Sequence, residues 1–182
     1  MNLRTERLQL RPFEADDCQD SYEIYRSAET CRFLLHEPWS ESTKEAEFKT
    51  LLAENHLSEM TNLHLACQLE EKVIGDISIW YTDMKETVEI GFSFNPNFAG
   101  QGYATEAVKA VITELFSNKK VHRIQANLDA RNSASAHLCQ RVGMHKEAHF
   151  RQDYWNKGEW TDSFVYGLLE SDIVANLELL DD

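Results

Sequence analysis

Gly100 and Gly102 stand between a strand-like run and a helix-like run. Upstream, Val88, Ile90, Phe92 and Phe94 alternate with Glu89, Gly91 and Ser93, the period-two signature of a strand. Downstream, Ala104, Ala107, Val108, Val111, Ile112, Leu115 and Phe116 recur at the three- and four-residue steps of one helix face. The glycine turn therefore opens onto a helix N-terminus, where the first amides lack intrahelical acceptors and the dipole favours negative charge. Glycines also let an anion approach the backbone, so this turn is a candidate phosphate cradle. On the strand, Glu89 shares its face with small Gly91 and Ser93, which leave room for a ligand beside a carboxylate. Glu106, one turn into the helix, would repel a diphosphate unless it points away and stabilises the helix start.

Two kinds of phosphate loop are weighed first. A nucleoside-triphosphate loop requires Gly-Lys followed by Ser or Thr, and here Gly102 precedes Tyr103 and Ala104. A dinucleotide fingerprint would use Gly100 and Gly102 but then meets Thr105, and the upstream segment reads as antiparallel hairpins rather than βαβ units.

The run Ala99-Gly100-Gln101-Gly102-Tyr103-Ala104 resembles the acyl-CoA pyrophosphate loop of the GNAT N-acetyltransferases, although Ala99 stands where the wider superfamily has Gln or Arg. The resemblance runs through nearly the whole chain. The opening Leu3 to Phe13, then Val88-Glu89-Ile90-Gly91-Phe92, Ala130-Arg131-Asn132-Ser133-Ala134-Ser135 and Val142-Gly143-Met144, is similar to the RimJ/RimL-type branch, whose founders acetylate ribosomal-protein N-termini. It implies an α/β (α+β) fold with a mixed, mostly antiparallel seven-stranded sheet and helices on both faces. It implies acetyl-CoA as co-substrate, its pyrophosphate on Gly100, Gln101, Gly102, Tyr103, Ala104 and Thr105. The pantetheine arm would lie along Phe92, Ser93 and Phe94, where the strand splays from its neighbour, and against Asn132, which is also placed as a helix N-cap. Ser135 matches the family serine facing the thioester sulfur. Asp153, in Gln152-Asp153-Tyr154, matches a carboxylate of the RimL-type pattern and is the expected base, with Glu89 as amine anchor or alternative base. Phe33, His36, Trp39 and Tyr154 are candidate walls of the acceptor pocket.

At 182 residues and 42% hydrophobic content the chain can bury one sizeable core, and a single domain is expected. Its formal net charge of −13 disfavours nucleic acid and anionic membrane surfaces and suits a cationic acceptor. Cys18, Cys31, Cys67 and Cys139 form no C-x-x-C pair, which points to reduced thiols in a cytoplasmic protein. No metal site is expected: His145 and His149 lie four apart in an apparent strand, roughly 13 Å in extended chain. With no assignable catalytic triad and Cys139 on a core face, direct attack in a ternary complex is favoured over a covalent route.

The elements that would position these groups read as follows. Strand 1 is followed by a helix from Glu14 to Arg26 and a second opened by a capping box at Ser42–Glu45. Strands cover 63–69, 73–81, 86–94 and 122–128, with a helix from 102 between the last two. A helix at 132–142, strands at 145–154 and 159–169, and a weakly anchored helix at 171–180 complete the chain. The function implied is transfer of an acetyl group to a primary amine, foremost a protein N-terminal α-amine. A small amine such as an aminoglycoside, polyamine or amino-acid derivative is the alternative, and a non-catalytic acyl-CoA sensor a further one. A homodimer is left open.

Overall fold

The computed structural model describes residues 1–173; the helix expected over 171–180 falls, past residue 173, outside the described residues. The chain divides into two compact units, Met1–Trp80 with Gly91–Val111, and Tyr81–Ile90 with Ile112 onward.

In the first unit the expected opening strand is broken in two. The Thr5 N–H donates to the Leu8 carbonyl and the Leu8 N–H returns a bond to Thr5 Oγ1, both at 2.9 Å. This turn separates β1 (Leu3–Arg4) from β2 (Leu8–Pro12) and pairs them antiparallel. β2 pairs with β4 (Thr61–Leu69), and β4 with β5 (Lys72–Tyr81), with β3 (Asn55–Ser58) laid against β4. Nine strands thus stand among the described residues where seven were expected. The broken first strand adds one and the short, largely polar β3, which lacks an apolar alternation, adds the other.

Helices α1 (Cys18–Tyr25), α2 (Ala28–Cys31) and α3 (Lys44–Ala53) connect β2 to β3. The capping box expected at Ser42 does not form: Thr43 is the N-cap, and its Oγ1 accepts the Ser40 N–H instead. Ahead of α1, buried Asp17 is satisfied by a two-pronged bond from Arg11 at 2.7 and 2.8 Å and by the Glu14 N–H at 2.7 Å. Tyr22, Ile24, Tyr25 and Phe48 from these helices pack with Phe13, Trp39, Ala66 and Val73 into one apolar cluster. Burial at roughly 1.5–3 kcal/mol per large side chain holds the helices on the sheet.

The second unit is built on β7 (Arg123–Asp129). β6 (Thr87–Phe94) runs parallel to it, pairing Thr87 with Arg123, Val88 with Ile124 and Glu89 with Gln125. On its other side lie β9 (Glu159–Leu169) and then β8 (His145–Asn156), both antiparallel, with β8 at the edge. Ile112, Leu115 and Phe116 of α4 (Tyr103–Ser117), and Leu138 and Cys139 of α5 (Ser133–Arg141), are buried, as are Val88, Ile90, Ile124, Ala126, Tyr166 and Leu168. α5 stops at Gly143, as expected, with φ +93.

One close approach shapes the end of β6. A side chain on Gly75 would occupy the space of the Phe94 ring. Gly75→Ala should therefore destabilise the protein by about 1–3 kcal/mol through overpacking. Replacing Phe94 with a smaller residue in the same chain should recover part of that loss, and urea unfolding of the single and double variants measures both.

Candidate active site

The glycine turn is folded as its residue types require. Asn95 caps a short 3₁₀ turn (Pro96–Phe98), its Oδ1 accepting the Asn97 N–H at 3.0 Å. Gly100 and Gly102 have φ of +76 and +82, a region that L side chains rarely adopt. A side chain at Gly100 would meet nothing within 4 Å, so the backbone there is open to an approaching group. The first bond of α4 runs from the Glu106 N–H to the Gly102 carbonyl at 3.0 Å, and the first amides of a helix lack intrahelical acceptors. These features fit an anionic diphosphate.

Glu106 does turn aside. Its Oε1 accepts the Thr5 hydroxyl at 2.6 Å and the Arg7 N–H at 2.9 Å, and its Oε2 accepts Arg7 Nε at 2.7 Å. The Arg7 guanidinium also donates to the Gln101 carbonyl at 2.9 Å and lies 4.4 Å from the centre of the Tyr103 ring. Burial works against the Glu106 carboxylate, but the Thr5 and Arg7 donors outweigh it and hold its pKa below the ordinary value.

In the second unit Glu89 is half-buried. Its Oε2 accepts Gln125 Nε2 and Asn127 Nδ2, each at 2.8 Å, so two neutral amides on β7 fix one carboxylate oxygen. Asp129, two residues on from Asn127, is paired with Arg131 at 2.7 Å. Asn132 is the N-cap of α5, as expected, its Oδ1 accepting the Ser135 N–H at 3.1 Å; half-buried Ser135 sits in the first turn. Cys139 is fully buried, and loss of solvent pushes its thiol up to about 12, which removes it as a nucleophile at neutral pH.

Asp153 and Tyr154 lie exposed on β8, where the pairing with β9 skips from Phe150 to Tyr154. Asp162 holds this bulge: Oδ1 accepts the Gln152 N–H at 2.9 Å and Oδ2 meets His149 Nε2 at 2.8 Å. Of the two carboxylates considered for the chemistry, Glu89 is the one anchored by neighbouring side chains.

Of the expected acceptor walls, His36 and Trp39 gather around Tyr25 of α1. The Tyr25 ring is 4.7 Å from Trp39 and 5.3 Å from His36, while half-buried Phe33 is stacked by Arg32. The Tyr25 hydroxyl donates to buried Asp76 at 2.5 Å. His64 stands beside Asp76, with Nδ1 3.4 Å from Asp76 Oδ2 and Nε2 2.8 Å from Glu54 Oε2. A lone aspartate inside the apolar strand Val73–Trp80 was the available signal for this network, since buried carboxylates need partners. Among the described residues there is no cluster of groups able to hold a metal ion, and no helix is long and apolar enough to cross a membrane.

Residues 7–145 match the profile of the acetyltransferase (GNAT) domain, and the chain belongs to that family. Its fold, a mixed and mostly antiparallel sheet flanked by helices, is the acyl-CoA N-acyltransferase fold. The chain is 30% identical to the uncharacterized N-acetyltransferase YnaD of Bacillus subtilis, over 94% of this chain and 99% of that protein. A solved GNAT-family acetyltransferase from Bacillus anthracis superposes with a TM-score of 0.82 at 28% identity, covering 94% of this chain and 99% of that one. Two curated Escherichia coli relatives have named acceptors. The [ribosomal protein uS5]-alanine N-acetyltransferase is 30% identical over 46% of this chain and 43% of its own length. The spermidine N(1)-acetyltransferase is 17% identical over 92% of this chain and 89% of its own. The chain is thus an acetyl-CoA-dependent N-acetyltransferase acting on an amine.

The half-buried His64 gives this region a pH signature. Burial opposes its charged form, but Asp76 and Glu54 outweigh that and raise its pKa above the usual value of about 6.5. The stabilisation this provides is complete below about pH 6.5 and is lost as pH rises through the raised value. Over that window the wild type should lose stability relative to His64→Gln, read as urea midpoints of the two proteins from pH 5.5 to 8.5.

Proposed function

We propose that the protein acetylates the N-terminal α-amine of a protein or peptide in a reducing, cytoplasmic compartment, with Glu89 as the group that receives the amine. The observation that carries this reading is the company Glu89 keeps. Its carboxylate is fixed by the neutral amides of Gln125 and Asn127, and the next acid along β7, Asp129, is already neutralised by Arg131. One available carboxylate among neutral donors suits an acceptor with a single ammonium. A polyamine brings two or more ammonium groups and gains most where several unpaired acids converge.

Bound acetyl-CoA supplies a thioester carbon open to nucleophilic attack. Gly100 to Thr105 hold its diphosphate end through backbone amides, and the backbone of Phe92 to Phe94 takes the pantetheine arm as an added strand, with Asn132 as a further contact. Glu89 Oε1 accepts a proton from the acceptor ammonium, while the two amides keep Oε2 in place. Ser135 Oγ donates toward the leaving sulfur. Asp153, exposed at the β8 bulge, serves with Tyr154 at the entrance rather than as base. The aromatic wall of His36 and Trp39, with Phe33, takes the acceptor's first side chains.

An α-amine with pKa about 7.7–8.0 is roughly a tenth neutral at pH 7, so base catalysis matters moderately. Glu89→Gln should therefore lower turnover about 100-fold at pH 7, the low end for loss of a general base, and recover as pH rises past about 8. Asp153→Asn should stay within about threefold of wild type. Thiol release from acetyl-CoA, measured with peptides of varied first residue and with spermidine and spermine, tests the acceptor. Turnover of the polyamines without the peptides would overturn the peptide reading. A flat Glu89→Gln pH profile would remove Glu89 as base.

A further inference from the structure

We infer that Arg7 is a positioning residue for the cofactor loop, a role resting on the reading that Gly100–Thr105 holds the diphosphate of acetyl-CoA. Arg7 sits at the end of the β1–β2 turn, which Thr5 closes by its two bonds with Leu8. From there its side chain reaches three parts of the loop and the first turn of α4. Nε and Nη2 lie 2.7 and 2.6 Å from Glu106 Oε2. Nη1 donates to the Gln101 carbonyl at 2.9 Å, and the guanidinium plane covers the Tyr103 ring at 4.4 Å. Its own backbone N–H donates to Glu106 Oε1 at 2.9 Å, beside the Thr5 hydroxyl at 2.6 Å.

This pattern does two things for the loop. The bond to the Gln101 carbonyl fixes the peptide between two left-handed glycines, the most freely rotating stretch of the turn, so the following amide has one direction. The ion pair with Glu106 turns the only carboxylate of the first helical turn away from the anion's approach and cancels its charge. Arg7 is thus occupied by the protein itself. It acts on the ligand through the loop's shape, and a planar, five-donor group is what the three simultaneous contacts require. An ammonium at this position has no fork to share between Glu106 and Gln101.

A loop that holds its binding form only part of the time binds more weakly by that fraction. Arg7→Met, which keeps the aliphatic stem, should raise the Kd for acetyl-CoA about 10-fold, and Arg7→Lys should restore little of it. Turnover at saturating acetyl-CoA and the KM for the acceptor should remain within about twofold. Acetyl-pantetheine, which lacks the diphosphate, should be turned over equally by wild type and Arg7→Met; general damage to the fold would depress both donors. Calorimetry with acetyl-CoA and initial rates with both donors read these effects, with Gly102→Val as the parallel loop variant.

If Gly102→Val binds weakly while Arg7→Met binds like wild type, the loop reading stands and the role of Arg7 is overturned. If neither variant weakens binding, the loop reading itself fails. An Arg7→Met protein that loses activity equally with both donors also overturns the positioning role. Should that variant not fold, Glu106→Gln, which removes the charge and keeps the side chain's shape, is expected to give a smaller loss confined to acetyl-CoA. The same loss with acetyl-pantetheine would again overturn the proposal.

Discussion

An acidic chain that must hold a polyanion faces an electrostatic problem at one place above all, the first turn of α4. A carboxylate and a phosphate about 6 Å apart repel by roughly 3 kcal/mol at an effective dielectric near 20, which exceeds the roughly 0.3–2 kcal/mol a helix N-terminus offers an anion. With a net charge of −13, the rest of the protein adds to that repulsion rather than relieving it. The structure resolves the conflict locally. Glu106 is drawn to the β1–β2 turn by four donors from Thr5 and Arg7, so the nearest negative charge becomes the anchor of a cation. The break in the first strand, which otherwise looks like a lost pair of ladder bonds, is what brings those donors to the loop.

A second constraint acts on the face of β6 that bears Glu89, Gly91 and Ser93. Strand side chains on one face are about 7 Å apart, and the room expected beside Gly91 is taken by Ser78 Oγ, with the Trp80 ring next to it. The polar groups are paired within each unit. In the second unit Gln125 and Asn127 hold Glu89; in the first, the Tyr25 hydroxyl holds Asp76. Satisfaction is the condition for burying such groups, because an unpaired polar atom there costs about 1–3 kcal/mol. The same bonds keep the surrounding side chains in single positions, as a site for a bond-forming reaction requires.

How legible this was depends on the range of the interaction. The β6–loop–α4 sequence could be read because strand alternation, glycine conformation and helix periodicity are all local. Strands β4 to β9 and helix α5 follow their expected spans for the same reason. The clasp on Glu106 joins residues 99 apart in sequence, and no period or spacing announces it. Resemblance supplied the glycine loop but was silent on Arg7, and Glu106 registered only as a charge that needed explaining. At Ser42 the failure ran the other way: a local capping pattern was present, but Thr43 spends its hydroxyl on Ser40. The bulge on β8 was equally hidden, since the bonds from Gln152 and His149 to Asp162 cross a hairpin whose pairing register a sequence does not state.

Tyr25 shows how one residue can serve both the core and a polar network. Helix periodicity puts it on one face with Cys18 and Tyr22, and its ring packs in the core with Phe13 and Trp39. Its hydroxyl, however, donates to Asp76 Oδ1, and burial together with that carboxylate drives its own pKa well above the ordinary value. The phenol therefore stays protonated and remains a donor at neutral pH. Its backbone carbonyl meanwhile accepts the Trp39 N–H at 2.9 Å and the Cys31 thiol at 3.1 Å. A single residue at the end of α1 thus ties the aromatic wall to Asp76 of β5. Substitutions in the wall and at Asp76 are expected to couple through it, because both depend on the same ring holding the same place.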